Sequence, residues 1–533
     1  MKKGNRLPIS VSIQVIPITL QDKSEKEKTD MPANRKFLVY VLILVVFPLA
    51  ISSQAASAEL PSKPDYFWTI EEMNKASLVM LAEKGIIPKA LAAKIGVAIN
   101  QVNTEGDKPG SQRPTDYLEI EALIAKVGGS EISRVHSGRS RQDMQSTSER
   151  MFLRESLLKT YESLNDMRDK LLALAGKHLD TIVPAYSHGV QSQPTMFGHY
   201  LLGWAETFDR DAERLRQVYG RLNMSPLGSA AGVTSSFAVD RKRLAELLGF
   251  DGLVENALDA VYFSPISTHA EYANVLAISA LTIGNITQDL HVQYHVPHPW
   301  FVIKAGPPLT GISSIMPQKR NPSALENLRA SADTVIGDAQ ITIFQAHNSN
   351  SYMHDFRRSL VARNAAEESQ KMYLLFGQTL DSLYVDKARA KTEVDNDYST
   401  TSELADKLQQ VANVPFRIGH HFASKLVDYG RARDLKPVDI PFPEAQRIYK
   451  EDTGQVLPLT ETQFKDALTA THMISASLGI GGPQPQEVKR MLAHELGQLK
   501  SDREWVKSQR TKLGNSAANL DQEFTKLIKT PEQ

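Results

Sequence analysis

The ten residues from Ser313 to Pro322 hold the densest group of side chains that could do chemistry in this chain. They read Ser-Ser-Ile-Met-Pro-Gln-Lys-Arg-Asn-Pro and follow a stretch rich in glycine and proline. The hydroxyl of Ser313 could take a proton from a weakly acidic C–H group beside a carboxylate. Lys319 and Asn321 could then hold the negative charge that builds on that carboxylate. The alternative is a proline-rich connector whose lysine is simply solvated.

Two arginines stand close together in a second cluster, 136–143, which reads His-Ser-Gly-Arg-Ser-Arg-Gln-Asp. Because a guanidinium grips both oxygens of a carboxylate, Arg139 and Arg141 beside Ser140 indicate a carboxylate clamp. The same residues could equally form an arginine-rich turn on the surface.

A third cluster, 186–194, pairs Ser187 with His188. Histidine titrates near neutral pH, so this pair could exchange a proton with a leaving amine. A Ser-His pair in a loop is more often structural. A fourth segment, 226–232, is a turn of small residues, which permits the close approach of a ligand or, equally, of another helix.

The composition narrows the class of protein. The chain has 533 residues, enough for more than one domain, and 61 basic residues balance 61 acidic ones. Neither nucleic acid nor an anionic membrane surface is therefore an expected partner. The absence of cysteine excludes disulfides and thiolate chemistry, and the fourteen histidines lack zinc-ligand spacing. We expect no metal and no cofactor.

The N-terminus has the order of a secretory signal peptide. Arg35 and Lys36 precede an apolar run over 37–51, and Ala56 and Ala58 suit an Ala-x-Ala cleavage site. We therefore expect an exported protein, periplasmic or secreted. The alternatives are an uncleaved membrane anchor, which would be the chain's only membrane contact, or a true start at Met31.

Apolar residues recur at intervals of three and four over most of the remaining chain, which predicts an all-α fold. The spacing predicts long helices over 69–95 (with a break at Gly85 and Pro88), 147–178, 195–222, 267–295, 322–346 and 359–382. No strand-turn-strand run is expected in the breaks between them. Asn321 followed by Pro322 predicts an N-cap and a first helical position. Shorter helices are expected after about 385.

The predicted domains follow from these breaks. They are an N-terminal extension with the signal peptide (1–58), an N-terminal helical domain (59–140), a central helical bundle with the active-site segments (141–385) and a C-terminal helical domain (386–533).

Taken together, the clusters resemble the fumarase/aspartase superfamily and, within it, most closely the argininosuccinate lyase family. The family motif His-Thr-Gly-Arg-Ser-Arg-Asn-Asp is similar to 136–143, and Thr-His-Leu-Gln-x-x-Gln-Pro is similar to 187–194. The signature Gly-Ser-Ser-x-Met-Pro-x-Lys-x-Asn-Pro is matched over 313–322. The resemblance extends over roughly 66–500.

The resemblance implies the fold of this superfamily: a central bundle of long helices with smaller helical domains at both ends. It also implies a homotetramer with active sites shared between subunits, and a reaction that needs no cofactor. By position in the motifs, Ser313 would be the base that takes the Cβ proton. Lys319 and Asn321 would bind the substrate carboxylate and stabilise its charge.

The resemblance also implies roles for the other clusters. Ser187 or His188 would protonate the departing nitrogen, and Glu326 would orient His188. The residues expected to contact the substrate, an amino-dicarboxylate, are Ser140, Arg141, Gln142, Gln193, Asn348 and Tyr352.

Single residues depart from the family pattern. Ile312 stands where the signature has glycine, Gln142 replaces asparagine, and Val190 replaces glutamine. Tyr117 aligns with a histidine of the N-terminal domain.

A longer departure lies at 347–355, where the family has Tyr-Asn-x-Asp-x-Gln-x-Asp-Lys to contact the arginine end of the substrate. Here the stretch reads His-Asn-Ser-Asn-Ser-Tyr-Met-His-Asp, so an acid replaces the lysine. This change concerns the amine half of the substrate more than the reaction.

The expected function is a C–N lyase that eliminates an amine from an N-substituted aspartate, argininosuccinate or an analogue, and releases fumarate. One alternative is a catalytically inactive or ligand-binding protein of the same fold, which Ile312 and Gln142 would favour. Another is a different elimination or a cycloisomerase reaction of the superfamily.

Overall fold

A computed structural model describes residues 64–347 and 360–529, and it consists mainly of long α-helices. The predicted leader at 1–58 lies outside the described residues, so export stays a prediction. Within the described ranges, no helix combines the length and the apolar character that crossing a membrane requires.

The helices are listed here in chain order: α1 (Tyr66–Glu83), α2 (Lys89–Gly106), α3 (Tyr117–Gly128), α4 (Arg141–Lys177), α5 (Phe197–Leu222), α6 (Arg241–Leu247), α7 (Ser264–Val292), α8 (Ser323–Ala346), α9 (Leu360–Asp381), α10 (Lys387–Asp395), α11 (Thr401–Ala412), α12 (Phe416–Arg431), α13 (Phe442–Thr453), α14 (Glu461–Ala467), α15 (Ala470–Ala476) and α16 (Pro485–Ile528). The strands are β1 (Ile182–Ser187), β2 (Val190–Met196), β3 (Met224–Ser225), β4 (Gly252–Leu253), β5 (Phe301–Ile303), β6 (Gly311–Ile312), β7 (Arg320–Asn321) and β8 (Leu383–Val385).

Helices α4, α5, α7, α8 and α9 pack against one another as a central bundle. Each contributes fully buried side chains to one core, for example Leu157, Phe208, Leu276, Leu328 and Phe376. Burying a side chain of this size stabilises the fold by about 2 kcal/mol relative to leaving it in water. The apolar stripes read from the sequence are the faces that meet here, so the all-α prediction is confirmed.

A second core lies at the head of the bundle. It combines α1, α2, α3 and α6 with the start of α4, through side chains such as Ile70, Ile99 and Leu244. The predicted break in the first helix is confirmed, because α1 ends at Glu83 and α2 begins directly after Pro88.

A third core lies in the tail, where α11 to α14 bury Leu404, Phe422, Ile440, Tyr449 and Phe464. In the described part of the chain, the strands form only two-stranded sheets: β1 pairs with β2, β3 with β4, β5 with β8, and β6 with β7.

The last helix contradicts the expectation of shorter helices after about 385. Helix α16 has 44 residues. Its first half places Val488 and Leu499 in the bundle core, and its end places Leu520 and Phe524 in the head core. Charged residues between these apolar positions obscure the stripe in the sequence. The domain limits predicted from the sequence stay predictions.

The expectation of no strand-turn-strand run is also wrong. Strands β1 and β2 pair antiparallel, with Ser187 opposite Val190. The two-residue turn between them is His188-Gly189, with φ of 55° and 78°. Two successive positive φ values suit a type I′ turn, and glycine adopts one of them without cost. Prolines at 184 and 194 hide the strand signal in the sequence.

The predicted cap of α8 is a third correction. Asn321 does not cap the helix, because it lies in β7. The helix begins at Ser323, and Pro322 holds the N-cap position without a side-chain hydrogen bond. The pairing of β6 with β7 extends the backbone through Asn321.

Candidate active site

Ser140 caps the long helix α4. Its hydroxyl oxygen accepts the N–H of Gln142 at 3.3 Å, and its own N–H donates to Asp143 Oδ1 at 2.8 Å. The Oγ of Ser140 also accepts the N–H of Asp143, so Ser140 and Asp143 form a capping box that fixes where α4 begins. Ser140 and Gln142 therefore stand at the positive end of the helix dipole, which favours a bound carboxylate.

The two arginines of this cluster have different environments. Arg141 is exposed, and its Nη1 lies 3.6 Å from Asp116 Oδ2. Arg139 is buried and donates to Asn74 Oδ1 at 3.0 Å and to Ser77 Oγ at 3.1 Å. The predicted clamp of two arginines is therefore wrong for Arg139, which joins the cluster to α1. Arg141 alone remains accessible to a substrate.

Tyr117, at the position where the family has histidine, contacts the same cluster. Its hydroxyl lies 3.0 Å from Nδ1 of His136. Burial raises the pKa of Tyr117 and lowers the pKa of His136, and the nearby Arg139 lowers the pKa of His136 further. The hydrogen bond between the two side chains joins the start of α3 to the first cluster.

Asp143 connects the first cluster to the small-residue turn at 226–232. Its Oδ2 accepts the N–H of Gly228 at 2.8 Å and of Ala230 at 3.0 Å. Burial raises the pKa of Asp143 to about 6, against the three backbone N–H groups that favour its carboxylate form. Our sequence analysis gave Asp143 no role. The Ser-x-x-Asp spacing of the capping box is the signal that points to it.

The third cluster lies on the β1–β2 hairpin. Ser187 ends β1, and His188 is the first residue of the exposed turn. Gln193 is also exposed, on β2. The hairpin thus exposes the hydroxyl of Ser187 and the imidazole of His188 at its tip.

The signature loop is closed at its base by the β6–β7 pair. Within it, the Oγ of Ser313 accepts the N–H of Met316 at 3.1 Å and of Ile315 at 3.4 Å. Arg320 donates to the carbonyl oxygens of Pro317 at 2.8 Å and Lys319 at 3.0 Å. The loop is therefore held by its own hydrogen bonds, and Arg320 is a supporting residue that the motif alone did not identify.

The other predicted site residues of this region lie at the end of the loop and at the start of α8. Lys319 is exposed at the end of the loop, Asn321 is half-buried in β7, and Glu326 is exposed on the first turn of α8. Within 64–347 and 360–529, no ion pair joins Glu326 to His188. Asn348 and Tyr352 lie outside the described residues.

The first and third clusters lie at opposite ends of α4. With 37 residues, this helix is about 55 Å long. Ser140 precedes its first residue, and Ser187 lies in the hairpin that follows its last turn. The segment before the signature loop lies near the hairpin, since Trp300 packs edge-to-face on Phe197 with 5.6 Å between ring centroids. One copy of the chain therefore does not assemble all three clusters around one substrate.

The motifs and the fold agree with the comparisons to known proteins. A family model described as "Lyase" matches residues 71–337. Argininosuccinate lyase 1 of Shouchella clausii is 31% identical over 443 residues, which cover 82% of this chain and 88% of that protein. Argininosuccinate lyase of Methanocorpusculum labreanum is 33% identical, with 78% and 84% covered.

Among solved structures, a variant of EDDS lyase with bound fumarate superposes with a TM-score of 0.79. It is 28% identical, and the match covers 87% of this chain and 93% of that one. The fold and the three motifs define a C–N lyase of the fumarase/aspartase superfamily. Within it, the chain belongs to the argininosuccinate lyase family. The inactive alternative is not favoured.

Proposed function

We propose that this protein eliminates an amine from an N-substituted aspartate by anti β-elimination, releasing fumarate. The observation that carries the proposal is the environment of Ser313. Its oxygen accepts two backbone N–H groups inside a loop that also holds Lys319. Such donors stabilise the alkoxide form that a serine needs to act as a base.

The reaction assigns a role to each residue near the breaking bonds. Ser313 removes the Cβ proton, and the electron pair forms the Cα–Cβ double bond of fumarate while the C–N bond breaks. Lys319 and Asn321 hold the charge that builds on the carboxylate next to Cβ. Ser187 or His188 gives a proton to the departing nitrogen, and Glu326 of a neighbouring copy orients His188.

Substrate binding is assigned to the end of α4. Ser140 and Gln142 stand at the positive helix end, and the exposed Arg141 supplies a guanidinium for a carboxylate. Gln193 approaches from the hairpin, and Asn348 and Tyr352 complete the proposed set. Glutamine is one methylene longer than the family's asparagine, so Gln142 alters the carboxylate clamp.

The proposed assembly is a homotetramer with shared sites. Its first support is the length of α4, which separates clusters that one reaction needs together. The second is apolar surface on the bundle: Leu281 on α7 is 54% exposed and Phe344 on α8 is 72% exposed. Long helices with such faces bury them against partner subunits.

The identity of the amine half of the substrate is linked to the cellular compartment in which the protein acts. Argininosuccinate, named in the curated relatives, is the first substrate to test and would place the protein in arginine metabolism. The altered stretch at 347–355 and the predicted signal peptide favour another N-substituted aspartate, handled outside the cytoplasm. EDDS is the second compound to test because of the structural relative.

The test uses the chain without its first 58 residues. Fumarate is followed by ultraviolet absorbance with argininosuccinate, EDDS and other N-substituted aspartates. Release from at least one of them is expected, and no release from any would overturn the proposed function. Cell fractionation of the full chain tests export, which retention in the cytoplasm would exclude.

The base is tested by a matched pair of variants. Ser313→Ala should lower fumarate release about 10³-fold, while Ser314→Ala removes the neighbouring exposed hydroxyl and should retain most activity. Both should keep the assembly state of the unaltered protein. An active Ser313→Ala variant would show that another group takes the proton.

A further inference from the structure

Two side-chain hydrogen bonds join the β1–β2 hairpin and the start of α5 to the tail of the chain, where α10 also packs against β1 and α15 against β2. On β2, Gln191 Nε2 donates to the Oγ of the buried Ser399 at 3.2 Å. Just beyond β2, the ring of His199 on the first turn of α5 lies 2.9 Å from the carbonyl oxygen of Gly481. Both tail residues are more than 200 positions away in the sequence.

The His199 ring makes one hydrogen bond on each side. A carbonyl oxygen only accepts, so Nε2 must carry the hydrogen that binds Gly481. In the neutral ring, Nδ1 then accepts the hydroxyl hydrogen of Thr195 on β2, at 2.8 Å. One imidazole thus joins the base of the hairpin to the loop before α16.

That loop is itself braced on α16. The N–H of Gly481 donates to Glu487 Oε1 at 2.8 Å, and Arg490 donates to the same oxygen at 2.6 Å. Glu487 and Arg490 lie on the first turns of α16, whose side chains enter the bundle core. The carbonyl that receives His199 is therefore fixed to the rigid part of the molecule.

The hairpin needs such support. An isolated two-stranded ribbon is marginally stable in water, and this one exposes Ser187 and His188 at its tip. A displacement of about 1 Å at a reacting group costs up to 10²-fold in rate. A loose hairpin would therefore weaken proton transfer to the departing nitrogen.

We infer that His199 is a positioning residue that holds the hairpin against the loop at 479–482 and so places Ser187 and His188 at the substrate nitrogen. This inference rests on the proposed function. His199 touches no reacting atom and acts through the hairpin.

Two substitutions separate the two hydrogen bonds. The amide nitrogen of glutamine reaches the place of Nε2, so His199→Gln keeps the bond to Gly481. The amide of asparagine reaches only the place of Nδ1, so His199→Asn keeps the contact with Thr195 and loses the hydrogen bond to Gly481. We expect His199→Gln to retain kcat within about threefold, and His199→Asn to lose at least about tenfold with little change in KM.

The dependence of kcat on the basicity of the leaving amine separates loss of proton transfer from a general loss of structure. A substrate whose amine is a weak base departs without full protonation, so the deficit of His199→Asn should shrink on it. His494→Asn, on the exposed face of α16, is the matched control and should behave as unaltered. Melting temperature and assembly state are measured for each variant.

The outcomes are distinct. If the unaltered protein releases no fumarate, the proposed function fails. If it is active and His199→Asn matches it, or if both His199 variants lose equally on both leaving groups at unchanged melting temperature, His199 does not position the hairpin.

Discussion

Asp143 accepts the backbone N–H of Gly228 at 2.8 Å, although 85 residues separate them in the chain. The same carboxylate also closes the capping box of Ser140. One buried side chain therefore sets the start of α4 and the shape of the turn at 226–232 together. A change at Asp143 should disturb both segments.

Asp143→Asn should lower the free energy of unfolding by about 2 kcal/mol, because an amide offers one acceptor oxygen where three backbone N–H groups now donate. Denaturant titration followed by circular dichroism measures this loss. Asp166→Asn removes a carboxylate that is 78% exposed and should stay within about 0.5 kcal/mol of the unaltered protein. Equal effects of the two substitutions would contradict the role of Asp143.

Arg320→Ala should lower kcat about tenfold without lowering stability, because Arg320 holds the carbonyl oxygens of the loop that carries Ser313. Fumarate release and thermal melting are measured side by side. Arg433→Ala, in the tail, removes an exposed arginine and serves as the control. Unchanged kcat in Arg320→Ala would mean that the loop keeps its shape without the guanidinium.

Mixing two inactive variants tests the shared site. Ser140→Ala and Ser313→Ala each disable a different cluster, and the length of α4 implies that one site draws on more than one copy. Subunits unfolded together and refolded should therefore show activity well above either parent. The same variants refolded separately and then combined are the control. No recovery in correctly assembled mixtures would indicate sites built within one copy.

Glu495 should make stability depend on pH. Burial raises the pKa of Glu495 to about 7 from its ordinary 4.5, with a further contribution from the nearby Asp209. Between these values the folded chain keeps a proton that the unfolded chain releases, so stability falls as pH rises from about 4.5 to 7 and is level above.

The measurement compares the unaltered protein with Glu495→Gln across this range. The variant should gain up to about 3 kcal/mol relative to the unaltered protein between pH 4.5 and 7. Glu504→Gln, whose side chain is 69% exposed, should show no such gain. A difference between Glu495→Gln and the unaltered protein that stays constant with pH would mean that Glu495 titrates alike in both states.

The sequence was sufficient for the bundle because periodic apolar stripes are local signals, and α5 or α7 requires no knowledge of its neighbours. The two arginines of the cluster at 136–143 show what a local sequence signal does not predict. Arg139 and Arg141 are the same residue type two positions apart, yet only packing against α1 decides that Arg139 is buried.

The hairpin shows a second limit. Prolines in both strands and a histidine at a positive φ give no strand pattern in the sequence. The hairpin would be only marginally stable by itself, and contacts with α5 and the tail hold it in place. The contacts of Asp143 with Gly228 and of His199 with Gly481 are long-range and follow no spacing rule. The site roles taken from the motifs stay predictions until the variants are measured.

Helix α16 has a consequence for how the protein is made. Leu520 and Phe524, near the end of the chain, complete the core that α1 and α2 begin. The apolar surfaces of α1 and α2 are therefore fully buried only once α16 is present. The head core closes only after α16 has been made, and until then its apolar surface stays available to chaperones. If cell fractionation shows export, this late closure of the head core explains how the chain stays unfolded for a translocation channel.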